Sequence, residues 1–311
     1  MKKRLHIFAL TFVGSVAATL FIGAGSAVAA PTFAEVMIAS NEAAFAENTL
    51  TESRMSFDLM MPIFTEGKTT MIDIAAKGSS SMLMNVDEQA FSNTTSGKAD
   101  VRIDDPSIEQ GTTFSIDAGV ELVVIKNDLY AKQDVNIALN GIRMPFILAD
   151  EQNVWQHEEL DTDEGSIIAE VGMLSNEYSM YMEEILDMIP VDIALENGEN
   201  IGNSHTMYNI VVDLSELQEL AQEEIDYLKE EVDEYYALSF VEESSLVLAE
   251  QALDNLEISG TMTIDENDVM QGMAMQIVSE ADNAKMHLEF SSEIITLDEN
   301  RQASITAPIV R

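Results

Sequence analysis

The chain has 311 residues, 56 acidic against 15 basic side chains, a formal net charge of −41 at pH 7, and no cysteine. The missing thiols exclude disulfides, thiolate metal sites, a cysteine nucleophile and a lipidated N-terminal cysteine. So negative a chain also argues strongly against binding to a nucleic-acid backbone or an anionic membrane surface, where a basic patch is needed. A hydrophobic content of 46% is that of a folded protein.

Lys2, Lys3 and Arg4 precede an apolar stretch from Ile7 to Ile22, followed by the small residues Gly23 to Ala27. Ala27-Val28-Ala29 matches the small-x-small pattern of signal peptidase cleavage, so residues 1–29 are expected to be a signal peptide; retention as a membrane anchor is the alternative. Cleavage removes three basic residues, and 12 bases against 56 acids leave −44. The protein is therefore expected to be exported: secreted, periplasmic or at the cell surface, and not lipid-anchored through cysteine. Residues 30–311 are expected to form one domain, long enough to bury a core without disulfides.

Helical spacing of Phe33, Val36, Met37, Ala44 and Phe45 predicts a first helix, with Thr32 and Glu35 as its capping box. From Ser53 the period becomes two: Met55, Phe57, Leu59 and Met61 alternate with Arg54, Ser56, Asp58 and Met60. A turn at Glu66-Gly67-Lys68 leads to a strand from Thr69 to Lys77, and Ser81 to Val86 forms another carrying Met82 and Met84. Further strands are expected at Lys98–Asp104, Thr112–Ala118, Glu121–Ile125 and Leu129–Gln133, with Asn127-Asp128 turning between the last two.

Residues 134–174 give no clear period. Asn176–Met188 reads as a helix ended by Pro190, and His205–Asp213 as a strand. An acidic helical region runs from Ser215 to Leu256, capped by Ser215 and Gln218 and broken near Tyr236–Ser239. Its apolar stripe is Leu217, Leu220, Ala221, Ile225, Leu228 and Val232. Strands then return at Glu257–Asp265, Val269–Ser279 and Ala284–Leu297, with a short one at Ala303–Thr306. Gly97–Asp104 and Gly260–Asp265 echo each other weakly. The fold class is α+β: a long antiparallel sheet with one apolar face, and helices whose stripe needs that face as a partner.

Signals for chemistry are poor. His157, His205 and His287 are the histidines available to activate a serine, and there is no Gly-x-Ser-x-Gly elbow. With 56 acids, close carboxylate pairs arise by chance. Asp161-Thr162-Asp163-Glu164-Gly165 opens like a calcium loop, but its glycine comes one position early and Gly172 stands where the closing Glu belongs. Asp265-Glu266-Asn267-Asp268 is a turn composition. No catalytic residue, metal ligand or cofactor is assigned, and divalent cations are expected only as weak surface binders.

The methionines are more informative. Met55, Met61, Met82, Met84, Met273, Met275 and Met286 share the inward alternation with Phe57, Leu59, Ile277, Leu288 and Phe290. Methionine adapts to irregular apolar partners. This pattern suits either an ordinary core or a cavity lined for an apolar ligand.

Ser56-Phe57-Asp58-Leu59-Met60-Met61, Asp128-Leu129-Tyr130-Ala131-Lys132, Trp155, Ile258-Ser259-Gly260-Thr261-Met262-Thr263-Ile264-Asp265 and Ala303-Ser304-Ile305-Thr306-Ala307-Pro308 together resemble the LolA-like family, in particular its LppX/LprG-type lipid-binding members. The resemblance spans nearly all of residues 30–311. It implies an open half-barrel, a curved antiparallel sheet with helices over its concave face and a helical insertion at about 175–256. It further implies a non-enzymatic protein holding a lipid or other apolar small molecule against the twelve apolar side chains just named. Two other readings stand beside it: an acidic envelope protein with a solid core that acts through a protein partner, and a carboxylate-dependent hydrolase.

Overall fold

Two-residue alternation governs more of this chain than the sequence alone announces. In the computed structural model, the described residues are 31–46, 48–65, 68–104, 111–144, 153–159, 192–234, 243–297 and 305–309. The expected signal segment, the 66–67 turn, the 161–165 loop, the 176–188 helix and the helix break at 236–239 lie outside them.

In chain order the elements are α1 (Phe33–Ala46), β1 (Thr49–Thr65), β2 (Lys68–Asn85), β3 (Ala90–Asp104), β4 (Thr112–Ile125), β5 (Asp128–Leu139), β6 (Ile142–Met144), β7 (Gln156–Glu159), β8 (Asp192–Gly202), β9 (His205–Asp213), α2 (Ser215–Glu234), α3 (Glu243–Asp254), β10 (Glu257–Ile264), β11 (Met270–Ala281) and β12 (Ala284–Thr296). They build one curved, unclosed, twelve-stranded sheet in the order β6-β5-β4-β3-β2-β1-β12-β11-β10-β9-β8, with β7 on β5. Every pairing is antiparallel. The chain enters in the middle on β1, meanders outward to β5, restarts at the opposite edge on β8 and meanders back. The first and last strands therefore pair at the centre, from Thr49↔Thr296 to Met60↔Lys285.

Several expected boundaries change. The segments 69–77 and 81–86 are one strand, because Gly78 to Ser81 pair with β1 on one side and with β3 on the other. The segments 112–118 and 121–125 likewise fuse into β4, and the tight turn after it falls at Lys126-Asn127, where Lys126 takes φ 55°. Within the expected helical insertion at 175–256, residues 192–213 form the β8–β9 hairpin. Ile305 and Thr306 belong to no strand.

Register sorts the side chains into two faces. Met55 faces the same way as Phe290, Met275 and Gly260 on one side and as Gly78, Gly97 and Ala118 on the other. Two residues along, the row is Ile258, Ile277, Leu288, Phe57, Ala76, Ala99, Ile116 and Ile137. The opposite face carries Asp58, Lys77, Lys98, Asp100, Asp117 and Glu289.

The fully buried core sits at one side of the apolar face. Phe33, Val36 and Met37 of α1 pack with Ile193, Leu195, Ile210, Met262, Ile264, Met270 and Met273. The capping box that starts α1 is formed: Thr32 N–H donates to Glu35 Oε2 at 2.7 Å, and Glu35 N–H to Thr32 Oγ1 at 3.1 Å. Ser40 ties the helix to the sheet by donating to Val36 C=O (2.6 Å) and accepting from Met270 N–H (2.7 Å).

The second expected box does not form. Ser215 donates both its hydroxyl and its N–H to Asp213 Oδ1, and Gln218 reaches the Leu253 carbonyl of α3 at 3.2 Å. In the expected stripe Ile225 is buried, while Leu220 is 49% exposed. The side chains of Leu228 and Val232 fall outside the description. It is α3 that meets β11 and β1, with Ser279 donating to Ala252 C=O and Asn255 to Glu280 C=O.

Candidate functional site

All twelve apolar side chains expected to line a binding surface lie on one face of the sheet. Met55, Phe57, Leu59 and Met61 come from β1, and Met82 and Met84 from β2. Met273, Met275 and Ile277 come from β11, and Met286, Leu288 and Phe290 from β12. Their surroundings differ. Met84 and Met273 are buried at 5% and 6%, Met55 is 47% exposed, and the other nine are half-buried.

Two features of this face were missed by sequence reasoning. The first is its extent: Ile74, Val101, Phe114, Ile116, Val120, Leu122, Val135 and Ile137 continue it across β2–β5, and each of them is half-buried. The second is a row of hydroxyls crossing it. Ser292, Ser53, Ser80 and Thr95 stand side by side on β12, β1, β2 and β3. Ser53 donates to Ser292 at 3.1 Å, and Ser80 and Thr95, whose hydroxyl oxygens lie 3.1 Å apart, both donate to the buried Asn93 Oδ1, at 3.0 and 3.1 Å. The in-phase position of Ser53, two residues before Met55, was the signal available for it.

A trough of about 1000 Å³ crosses the middle of the sheet from β4 to β10. Its floor is the row Gly260, Met275, Phe290, Met55, Gly78 and Gly97, and its walls come from the opposite, polar alternation. Of the twelve expected lining residues, Met55, Met275 and Phe290 border it.

The other singled-out residues have structural partners. His157 stacks on Tyr130 with ring centroids 4.7 Å apart and contacts Asp128 at 2.7 Å. Trp155 lies under the Lys132 ammonium at 5.3 Å, and Lys132 pairs with Glu121 at 2.5 Å. His287 contacts Gln276 at 2.9 Å and Glu289 at 3.2 Å. The Asp265 carboxylate closes its own turn by accepting from Asn267 N–H and Val269 N–H. Among the described residues no group of three or more His, Asp or Glu is placed to hold a metal ion, and no helix is long and apolar enough to cross a membrane.

No family model matches the chain, and no curated protein does. Among solved structures it is similar to the translocator domain of the autotransporter NalP from Neisseria meningitidis, at 6% identity and TM-score 0.25, covering 81% of this chain and 88% of that one. A porin-like protein from Bacteroides uniformis matches at 8% identity and TM-score 0.15, over 78% and 96%. The MucA/MucB complex structure of Pseudomonas aeruginosa matches at 6% and 0.08, over 84% and 93%. Likenesses this slight carry no argument about function.

Proposed function

We propose that this chain is an exported, non-enzymatic binding protein that holds a lipid or other apolar ligand on the one-sided apolar face of an open half-barrel, in the manner of the LolA-like proteins it resembles. The observation that supports this is the asymmetry of the face. Over β8–β11 it is sealed by α1, with Val36 and Met262 at 0% exposure. Over β2–β5 the same face is buried at one end, with Val124 at 0% and Met84 at 5% exposure, while Ile74, Val101, Ile116, Val120 and Ile137 farther along the strands are half-buried. Helices over the concave side complete the half-barrel in this reading, and the hydroxyl row gives an amphiphile a place for one hydrogen-bonding group.

Displacement of a fluorescent acyl probe tests the reading. Fluorescence should rise saturably on mixing, fall when unlabelled acyl chains compete, and weaken at least about tenfold with Ile116→Asp, which sets a charge against the bound chain. Probe binding that does not saturate, or that Ile116→Asp leaves unchanged, rejects the site.

A further inference from the structure

The polar trough has a composition at odds with the rest of the chain. Three of the twelve basic residues outside the signal segment, Arg54, Lys77 and Lys98, line it together. They stand on consecutive strands β1, β2 and β3, all on the polar face. Lys77 and Lys98 are directly opposite one another across β2 and β3. Like charges so placed repel. Lys98 is partly compensated by Asp100 at 2.8 Å, and Asp117 sits directly across from it on β4. Arg54 and Lys77 make no ion pair among the described residues, although acids outnumber bases by 56 to 15. Glu289, the other acid of the trough, accepts a bond from Ser56 at 3.3 Å.

Hydroxyl donors surround these two cations. Ser79 and Ser96 share one hydrogen bond at 3.1 Å, which leaves one of the two hydroxyl hydrogens free. Ser291 lies opposite Arg54 on β12. We propose that this trough is a binding site for a compact oxyanion, a phosphate group, held by the Arg54 guanidinium, the Lys77 ammonium and the hydroxyls between them. A dianion there turns the Lys77–Lys98 repulsion into attraction by both. The site is on the face opposite the apolar one, so its presence is independent of the reading above.

Two arms separate the possible sources of the phosphate. Inorganic phosphate is titrated into the mature protein by calorimetry, with sodium chloride matching the ionic strength. Flotation with phosphatidylglycerol vesicles against phosphatidylcholine vesicles tests a lipid headgroup. The proposal expects saturable binding in at least one arm. Arg54→Gln/Lys77→Gln should weaken it about tenfold or more, and Lys285→Gln, outside the trough, should leave it unchanged. Lys77→Gln alone supplies a check on folding: without phosphate it should unfold at the same or a higher temperature than the parent, and it should lose the phosphate-induced rise. No binding in either arm, or binding that the double substitution leaves intact, overturns the proposal.

Discussion

Gly97 on β3 and Gly260 on β10 lie on one transverse row of the sheet, joined through Gly78, Met55, Phe290 and Met275. A weak echo between their flanking sequences thus corresponds to one shared transverse position in the fold. The two glycines are not equivalent. A Cβ at Gly260 would stand 2.5 Å from the Ala274 carbonyl oxygen, whereas at Gly97 the nearest atom would be 3.4 Å away. Gly260→Ala should therefore destabilise by about 1–3 kcal/mol through overpacking. Gly97→Ala should change stability by less than about 1 kcal/mol. Urea midpoints measured side by side check the difference; equal midpoints would remove the steric reason for Gly260.

The buried and exposed positions of the apolar face predict unequal responses to truncation. Met262 has 0% exposure and should lose about 2–5 kcal/mol on replacement by Ala. Met55, 47% exposed, should lose no more than about 0.5 kcal/mol. A large loss at Met55 would mean that its side of the sheet is packed.

Ser40→Ala removes the acceptor of the Met270 N–H in a buried setting. A buried donor left without a partner costs about 1–3 kcal/mol. Equilibrium unfolding, together with faster amide exchange at Met270, would register the loss, and unchanged exchange there would show that another acceptor replaces Ser40.

How far the sequence was legible depended on the range of the interactions. The Thr32–Glu35 box is local, and it forms as read. The Ser215–Gln218 box has the same residue pattern and fails, because Asp213 captures Ser215 and a carbonyl 35 positions away captures Gln218. Gly78-Ser79-Ser80-Ser81 has low strand propensity and reads as an interruption; pairing on both sides carries the ladder through it. Strand β8, rich in Glu, Asn and Gly, owes its form to β9 alone among the described strands. Alternation did place the twelve apolar residues on one face. The trough escaped notice because its walls come from seven strands that only the assembled register brings together.

Acid stability gives a further check. The hydrogen bonds from the Ser215 hydroxyl and N–H hold the Asp213 carboxyl below its ordinary value of 3.8. A carboxyl lowered in the folded state contributes stability that is fully present above its unfolded value and is lost as pH falls through the folded one. Ser215→Ala should move the Asp213 titration, followed by carboxyl carbon NMR, back towards 3.8. It should also flatten the acid limb of the stability profile. An unmoved titration would assign the lowering to the Ser215 N–H alone.

The proposed apolar ligand would lie along the half-buried part of the apolar face. This is tested most directly by native mass spectrometry of the protein purified from its exported form without detergent. The account predicts a discrete apolar adduct that is stripped by organic extraction and regained on incubation with the extract. A bare mass before and after incubation, from protein whose fold is intact by circular dichroism, would contradict it.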